Sequence, residues 1–168
     1  MFLNNLFNKR VSLVFLFPLF LGMLTVFTFQ PFNFTFLNFL IFPSLFTILV
    51  FVEKKSRSTY RKKPYLINLF YVGYFFGVGF FLSGTYWISH SLTFDSDLNY
   101  LIPISLVFIP LCLGLFYGVS AIIAGPFLKN NFPSILLFCA SFSFLDYLRA
   151  KIFTGFPWNL WAYSWSWF

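Results

Sequence analysis

Long apolar runs separated by short polar stretches dominate the chain. A helix needs about 20 residues to cross the hydrocarbon core of a bilayer, and the first four runs approach or exceed that length, while the fifth is shorter. Composition agrees, since 60% of the residues are hydrophobic and only 9% are charged, far from the balance of a soluble domain. We therefore predict an all-α integral membrane protein, a polytopic bundle of about five transmembrane helices. The predicted spans are residues 11–29, 32–52, 65–89, 100–128 and 134–150.

Charge is distributed unevenly between the polar loops, and this predicts an orientation. The loop at residues 53–64 holds six bases and one acid, and Lys9 and Arg10 precede the first run. The loop at residues 90–99 holds two acids and no base. Because short loops rich in Lys and Arg stay in the cytoplasm, we predict a cytoplasmic N-terminus and an exported C-terminus. This topology explains most of the net charge of +7, so we expect no nucleic-acid partner.

The sequence offers little for catalysis or for metal binding. Cys112 and Cys139 lie inside apolar runs with no His or carboxylate nearby in sequence, and His90 is the only histidine. A thiol in apolar surroundings is a poor nucleophile and a poor metal ligand. We therefore predict no catalytic residue, no metal site and no cofactor within these 168 residues.

The end of the fifth run carries charge that topology does not explain. Asp146 and Arg149 are three residues apart, a spacing that lets them pair on one helix, and Lys151 follows. One interpretation is an interfacial ion pair whose bases extend to lipid head groups. The other is a site that binds a phosphate, a lipid ester or a partner domain. The turn that follows contains Gly155, Pro157 and Trp158.

Two further patterns concern packing and membrane placement. Small residues recur in the third and fourth runs, where they let helix backbones approach closely, and we expect this packing to occur within one chain. They include Gly73, Gly77, Gly114 and Gly118. The C-terminal tryptophans are typical of an aromatic belt at a membrane interface. They are Trp161, Trp165 and Trp167.

Four stretches carry a resemblance to a known family. Residues 81–92 contain Gly-Thr-Tyr-Trp, residues 145–150 read Leu-Asp-Tyr-Leu-Arg-Ala, and residues 153–158 read Phe-Thr-Gly-Phe-Pro-Trp. Residues 27–32 form a Pro-containing turn after the first run. Together they resemble the N-terminal membrane region of bacterial apolipoprotein N-acyltransferases. Asp146 and Ala150 stand where that family usually has Glu and Gly.

The resemblance implies a function for the whole chain. It suggests that residues 1–168 are the membrane domain of an enzyme that moves an acyl chain from a phospholipid to the N-terminal amine of a diacylated lipoprotein, in the bacterial inner membrane. The family's nitrilase-like domain with its Glu-Lys-Cys catalytic residues is absent from this chain, so we expect a fragment of a longer reading frame that is inactive alone. Residues expected to line a lipid or substrate entrance are Asp146, Arg149, Lys151, Gly155, Pro157, Trp158 and Trp87.

A different class of function competes with the enzyme. The chain could be a complete small membrane protein that binds membrane lipids or acts as a scaffold for a partner without catalysis. A transporter half is disfavoured, because no span carries a central charge. The DNA downstream of Phe168 discriminates between the enzyme and the scaffold, since the enzyme requires an in-frame continuation that encodes the catalytic domain.

The charge pattern generates a topology prediction. In a variant that lacks Cys112 and Cys139, a cysteine introduced at Ser58 should resist a membrane-impermeant thiol reagent in intact cells. A cysteine introduced at Asp97 should react, because the loop at residues 90–99 is expected to be exported. Labelling of the position-58 cysteine in unbroken cells would overturn the orientation.

Overall fold

A computed structural model describes residues 12–59, 64–152 and 159–165 of the chain. Within these ranges the chain forms helices joined by short turns, and no strand occurs. The α-helices are α1 (Phe17–Leu24), α2 (Asn38–Thr59), α3 (Pro64–Gly84), α4 (Tyr86–Ser91), α5 (Ile102–Ala124) and α6 (Phe132–Ile152). A π-helical turn precedes α1 at Ser12–Leu16, and 3₁₀ turns lie at Thr25–Thr28, Thr35–Leu37, Leu92–Phe94, Ser96–Leu101, Gly125–Phe127 and Trp161–Trp165. The prediction of an all-helical chain is confirmed.

Three of the apolar helical stretches are long enough to cross a membrane. They are Thr35–Lys55, Leu66–Phe94 and Ser96–Phe127, and Ser12–Thr28 is a shorter apolar helical stretch. The fifth predicted run forms α6, a helix of 21 residues. The count of five crossings and the orientation of the termini stay predictions.

The third predicted span, residues 65–89, is divided into two helices. α3 ends at Gly84, and Thr85 has non-helical backbone angles before α4 begins at Tyr86. The carbonyl oxygen of Phe81 accepts hydrogen bonds from both the backbone N–H of Thr85 at 2.8 Å and its hydroxyl at 2.6 Å. Trp87 therefore belongs to a separate short helix.

Helix α3 lies at the centre of the bundle and packs against α1, α2 and α5. Its contact with α1 depends on glycine at two positions. A Cβ atom at Gly22 would lie 2.1 Å from the carbonyl oxygen of Phe76, and a Cβ atom at Gly79 would lie 2.1 Å from that of Leu19. Both distances are too short for any side chain, so the two backbones touch directly.

The contact between α3 and α5 also depends on glycine at the positions of closest approach. A Cβ atom at Gly73 would lie 2.3 Å from the carbonyl oxygen of Tyr117, and one at Gly77 would lie 2.9 Å from the Cα atom of Gly114. The small residues of the third and fourth runs thus pack helices of one chain together, as expected. This close approach places the Tyr117 side chain, which is buried, inside the bundle.

The core is aromatic, and many large apolar side chains point outward. Phe76, Phe80 and Phe81 of α3 are fully buried. Outward-facing residues such as Phe39, Phe108 and Phe144 are more than half exposed. Apolar surface of this extent is typical of helices surrounded by lipid.

Candidate functional site

The charged residues at the end of α6 form a buried ion pair. Arg149 donates to Asp146 Oδ1 from Nε at 3.1 Å and from Nη2 at 2.9 Å. The Arg149 side chain is 1% exposed, and its guanidinium carbon lies 4.9 Å from the centre of the Phe81 ring. The predicted pairing is confirmed. The alternative in which Arg149 extends to lipid head groups is wrong in this structure, because the guanidinium lies inside the bundle.

The ion pair holds a segment that follows it in sequence, residues 159–165. The backbone N–H of Trp161 donates to Asp146 Oδ2 at 3.1 Å, and Arg149 Nη2 donates to the carbonyl oxygen of Asn159 at 3.3 Å. Each member of the pair therefore binds its partner and one backbone group of the 159–165 segment. Buried charges are tolerated only when they are paired and hydrogen-bonded, and both conditions are met here.

The side chain of Trp161 is the main apolar anchor of the 159–165 segment. Its Nε1–H donates to the Tyr117 hydroxyl at 2.6 Å, and that hydroxyl donates to Asp146 Oδ1 at 3.4 Å. The indole ring stacks on Phe80, with ring centres 4.7 Å apart and planes inclined by 19°. The other rings around it are Phe29, Phe42 and Phe76, at centre distances of 6.0, 4.5 and 6.2 Å. Trp161 thus packs against rings of several helices, and the aromatic belt at the membrane interface stays a prediction.

A second attachment joins the 159–165 segment to α2. Asn38 Nδ2 donates to Ser164 Oγ at 3.2 Å, and the Ser164 hydroxyl donates to the carbonyl oxygen of Trp161 at 2.8 Å. Asn38 and Ser164 are both buried. The Trp165 ring meets the Phe39 ring edge-on at 5.9 Å. The segment is therefore fixed at both of its ends.

Three of the four stretches that carry the family resemblance contact this segment or its ion pair, and residues 153–158 lie outside the described residues. Phe29 belongs to residues 27–32, Phe81 belongs to residues 81–92, and the ion pair belongs to residues 145–150. Gly84, from residues 81–92, lies close to the Asn159 side chain, since a Cβ atom there would lie 2.2 Å from Asn159 Nδ2 and would require that amide to move. Asn159 directly follows residues 153–158 in sequence. Its φ is 55°, a left-handed conformation that Asn tolerates.

The other predicted entrance residues differ in their surroundings. Lys151 is exposed at the end of α6, with its Nζ 5.7 Å from the centre of the Tyr147 ring. Trp87 on α4 is 46% exposed. Gly155, Pro157 and Trp158 lie outside the described residues. Direct contact of these residues with a lipid stays a prediction.

Sequence reasoning missed the residues that complete the network. Tyr117, Asn38 and Ser164 received no role, and the packing of Trp161 among the helices was not predicted. A role for Tyr117 could have been predicted from the sequence. A phenol inside an apolar span needs a hydrogen-bond partner, and Asp146 and Arg149 are among the few polar candidates. Asn38, an amide inside the second apolar run, also needs a hydrogen-bond partner, but the sequence indicates less clearly which residue that is.

Among its described residues, the site contains no activated nucleophile. Across the described ranges, no group of three or more His, Cys, Asp or Glu residues could hold a metal ion. Cys112 of α5 is partly exposed and Cys139 of α6 is exposed on an apolar helix. Both oxygens of Asp146 already accept hydrogen bonds. The arrangement is suited to holding a chain segment in place.

Comparison with known proteins identifies the family. The model of the apolipoprotein N-acyltransferase N-terminal domain matches residues 21–168. The chain belongs to this family. It is therefore a member of the N-terminal domain family of apolipoprotein N-acyltransferases, and the resemblance drawn from the four stretches is confirmed.

Individual relatives of this family support the assignment. An apolipoprotein N-acyltransferase from Sinorhizobium medicae is 31% identical over 145 residues, which cover 85% of this chain and 27% of the relative. Those from Rhizobium etli and Brucella melitensis are 36% and 40% identical over 56% and 55% of this chain, and 18% of each relative is covered. The chain thus spans well under a third of the curated relatives that it matches. No solved structure matches it.

The buried network of this family member generates a stability prediction. Asp146→Leu and Arg149→Met should each lower the free energy of unfolding by about 3–5 kcal/mol, because each leaves an unpaired buried charge. The double variant should lose clearly less than the sum, since no lone charge remains. Unfolding in detergent micelles measures all three. Lys151→Met, an exposed base near the same helix end, is the control and should change stability by about 0.5 kcal/mol or less. Strictly additive losses would contradict the coupling.

Proposed function

We propose that this chain is the membrane domain of a phospholipid:apolipoprotein N-acyltransferase. The enzyme would transfer an acyl chain from a phospholipid to the N-terminal amine of a diacylglyceryl-cysteine lipoprotein at the bacterial inner membrane. The observation that carries the proposal is the match of the family's N-terminal domain to residues 21–168. The long apolar helices and the exposed large apolar side chains on their outer faces support the membrane assignment.

The proposed division of labour assigns the chemistry to a domain outside residues 1–168. A nitrilase-like domain with Glu, Lys and Cys would form a thioester with the acyl chain and pass it to the lipoprotein amine, so that two easier steps replace one difficult exchange. The membrane domain would span the bilayer five times, with its N-terminus in the cytoplasm. It would hold the catalytic domain over the exported face and admit both lipid substrates laterally.

Within this scheme Asp146 and Arg149 act as positioning residues. The guanidinium is buried, contacts Asp146 and the backbone at Asn159, and covers the Phe81 ring, so a phosphate in the bilayer would meet the exposed Lys151 first. Lys151 and Trp87, with Gly155, Pro157 and Trp158, remain the candidates for direct contact with lipid. The ion pair would keep the 159–165 segment docked beside them.

The scaffold hypothesis remains the alternative. A lipid-binding membrane protein without catalysis would also lack an activated nucleophile among its described residues. An in-frame sequence downstream of Phe168 that encodes Glu, Lys and Cys in a soluble domain supports the enzyme, and a stop codon supports the scaffold.

The division of labour predicts that the 168-residue chain alone transfers no acyl group. The purified chain would be incubated with phospholipid and a diacylated lipopeptide, and the product followed by mass spectrometry. The full-length enzyme of Sinorhizobium medicae, assayed in parallel, is the positive control. A triacylated lipopeptide formed by the chain alone would contradict the assignment of the chemistry to another domain.

The positioning role predicts a pattern of kinetic effects in an active full-length version. Arg149→Lys keeps the charge but loses the planar set of donors, so kcat should fall by about tenfold, equivalent to about 1.4 kcal/mol, with little change in KM for phospholipid. Trp161→Ala should reproduce this pattern. Trp158→Ala should lower activity while membrane insertion is unchanged.

The outcomes separate the possible roles of Arg149. A rise in KM for phospholipid in Arg149→Lys, with no effect of Trp161→Ala, would indicate that Arg149 binds the phosphate directly. Wild-type kinetics in all three variants, normalised to inserted protein, would leave the ion pair a role in stability alone.

A further inference from the structure

The segment between α3 and α5 is not needed for crossing the membrane. α3 has 21 residues and α5 has 23, and each is long enough for a span of about 30 Å at about 1.5 Å per residue. The intervening residues form α4 and the two 3₁₀ turns Leu92–Phe94 and Ser96–Leu101. A segment that joins the ends of two such helices would lie at one face of the bilayer if both helices cross it.

Four large aromatic side chains of the segment are exposed, among exposed residues that are otherwise mainly polar. Phe94 is 84% exposed, Tyr100 70%, Tyr86 64% and Trp87 46%. The side chains that face the protein at its start are small and polar, since Thr85 and Ser89 are buried. Their hydroxyls donate to the carbonyl oxygens of Phe81 and Tyr86 at 2.6 Å in each case. The rings are thus exposed on a segment whose buried side chains at its start are hydroxyls.

The charge of the segment indicates the kind of surface that it fits. Residues 86–101 contain Asp95 and Asp97 and no Lys or Arg, so the segment has no attraction for an anionic surface. Both acids are exposed, and Asp95 Oδ1 accepts a hydrogen bond from the backbone N–H of Asp97 at 3.0 Å. Trp and Tyr rings, apolar in body and polar at one edge, favour the level of the lipid head groups.

We propose that residues 86–101 are an interfacial anchor inserted into the head-group region of a zwitterionic bilayer. The rings of Tyr86, Trp87, Phe94 and Tyr100 enter the boundary between head groups and acyl chains, and the carboxylates of Asp95 and Asp97 face water. The anchor fixes the depth of α3 and α5 in the membrane. It depends on these two helices crossing the bilayer and not on the acyl-transfer chemistry.

Single-cysteine variants of the full chain test this anchor. In a background with Cys112→Ala and Cys139→Ala, the variants Phe94→Cys, Tyr100→Cys and Asp97→Cys would each be labelled with an NBD fluorophore and reconstituted in phosphatidylcholine vesicles. Each variant keeps the remaining aromatic residues of the segment. The Asp97 variant is the matched control, because it lies on the same segment and is expected to face water.

Quenching from the two phases gives the readout. Phosphatidylcholine with a spin label high on its acyl chain should quench the labels at positions 94 and 100 severalfold more strongly than the label at 97. Iodide on both sides of the membrane should quench in the opposite order, and emission at 94 and 100 should be shifted to the blue. Equal iodide quenching at 94 and 97 would overturn the proposal. Protection of position 94 from both quenchers would also overturn it, because the segment would then be covered by protein.

Discussion

The ion pair between Asp146 and Arg149 is the interaction on which the end of the bundle depends. Moving two charges from water into an apolar interior costs more than their mutual attraction returns unless additional hydrogen bonds satisfy them. Here the extra partners are the backbone groups of Trp161 and Asn159. The pair has these two partners only while the 159–165 segment is docked, and loss of the pair removes two of the hydrogen bonds that hold the segment. Helix α6 and the segment stabilise each other.

Trp161 extends this dependence to the rest of the bundle. Its ring contacts Phe42 of α2 and Phe80 of α3, its indole N–H bonds to Tyr117 of α5, and its backbone N–H bonds to Asp146 of α6. In lipid there is little hydrophobic drive between helices, so close packing and buried hydrogen bonds must hold them together. Because Trp161 contacts four helices, its substitution should weaken the packing of all four.

The sequence predicted what is local along the chain. Apolar run length located the long helices, and the three-residue spacing of Asp146 and Arg149 predicted their pairing. The small residues around Gly77 and Gly114 predicted close helix contacts. The break at Thr85 was missed, because apolar character continues through it while the backbone does not stay helical.

The sequence could not predict what depends on contacts between distant residues. The direction of the Arg149 side chain depends on Phe81 and Asn159, and the position of Trp161 depends on Tyr117, 44 residues earlier. A charged residue at a helix end fits an interface as well as a buried pair until those partners are known. The family resemblance marked three stretches that contact the 159–165 segment or its ion pair, and only the fold explains why these three belong together.

Hydrogen exchange at the 159–165 segment tests the central claim most directly. In the wild-type chain in detergent micelles, a peptide containing Trp161 should exchange slowly, because that amide is bound to a buried carboxylate. In Arg149→Met the segment should exchange fast, while residues 66–84 of the central helix α3 keep their protection. Unchanged protection of the segment in Arg149→Met would contradict the claim that the ion pair holds it in place.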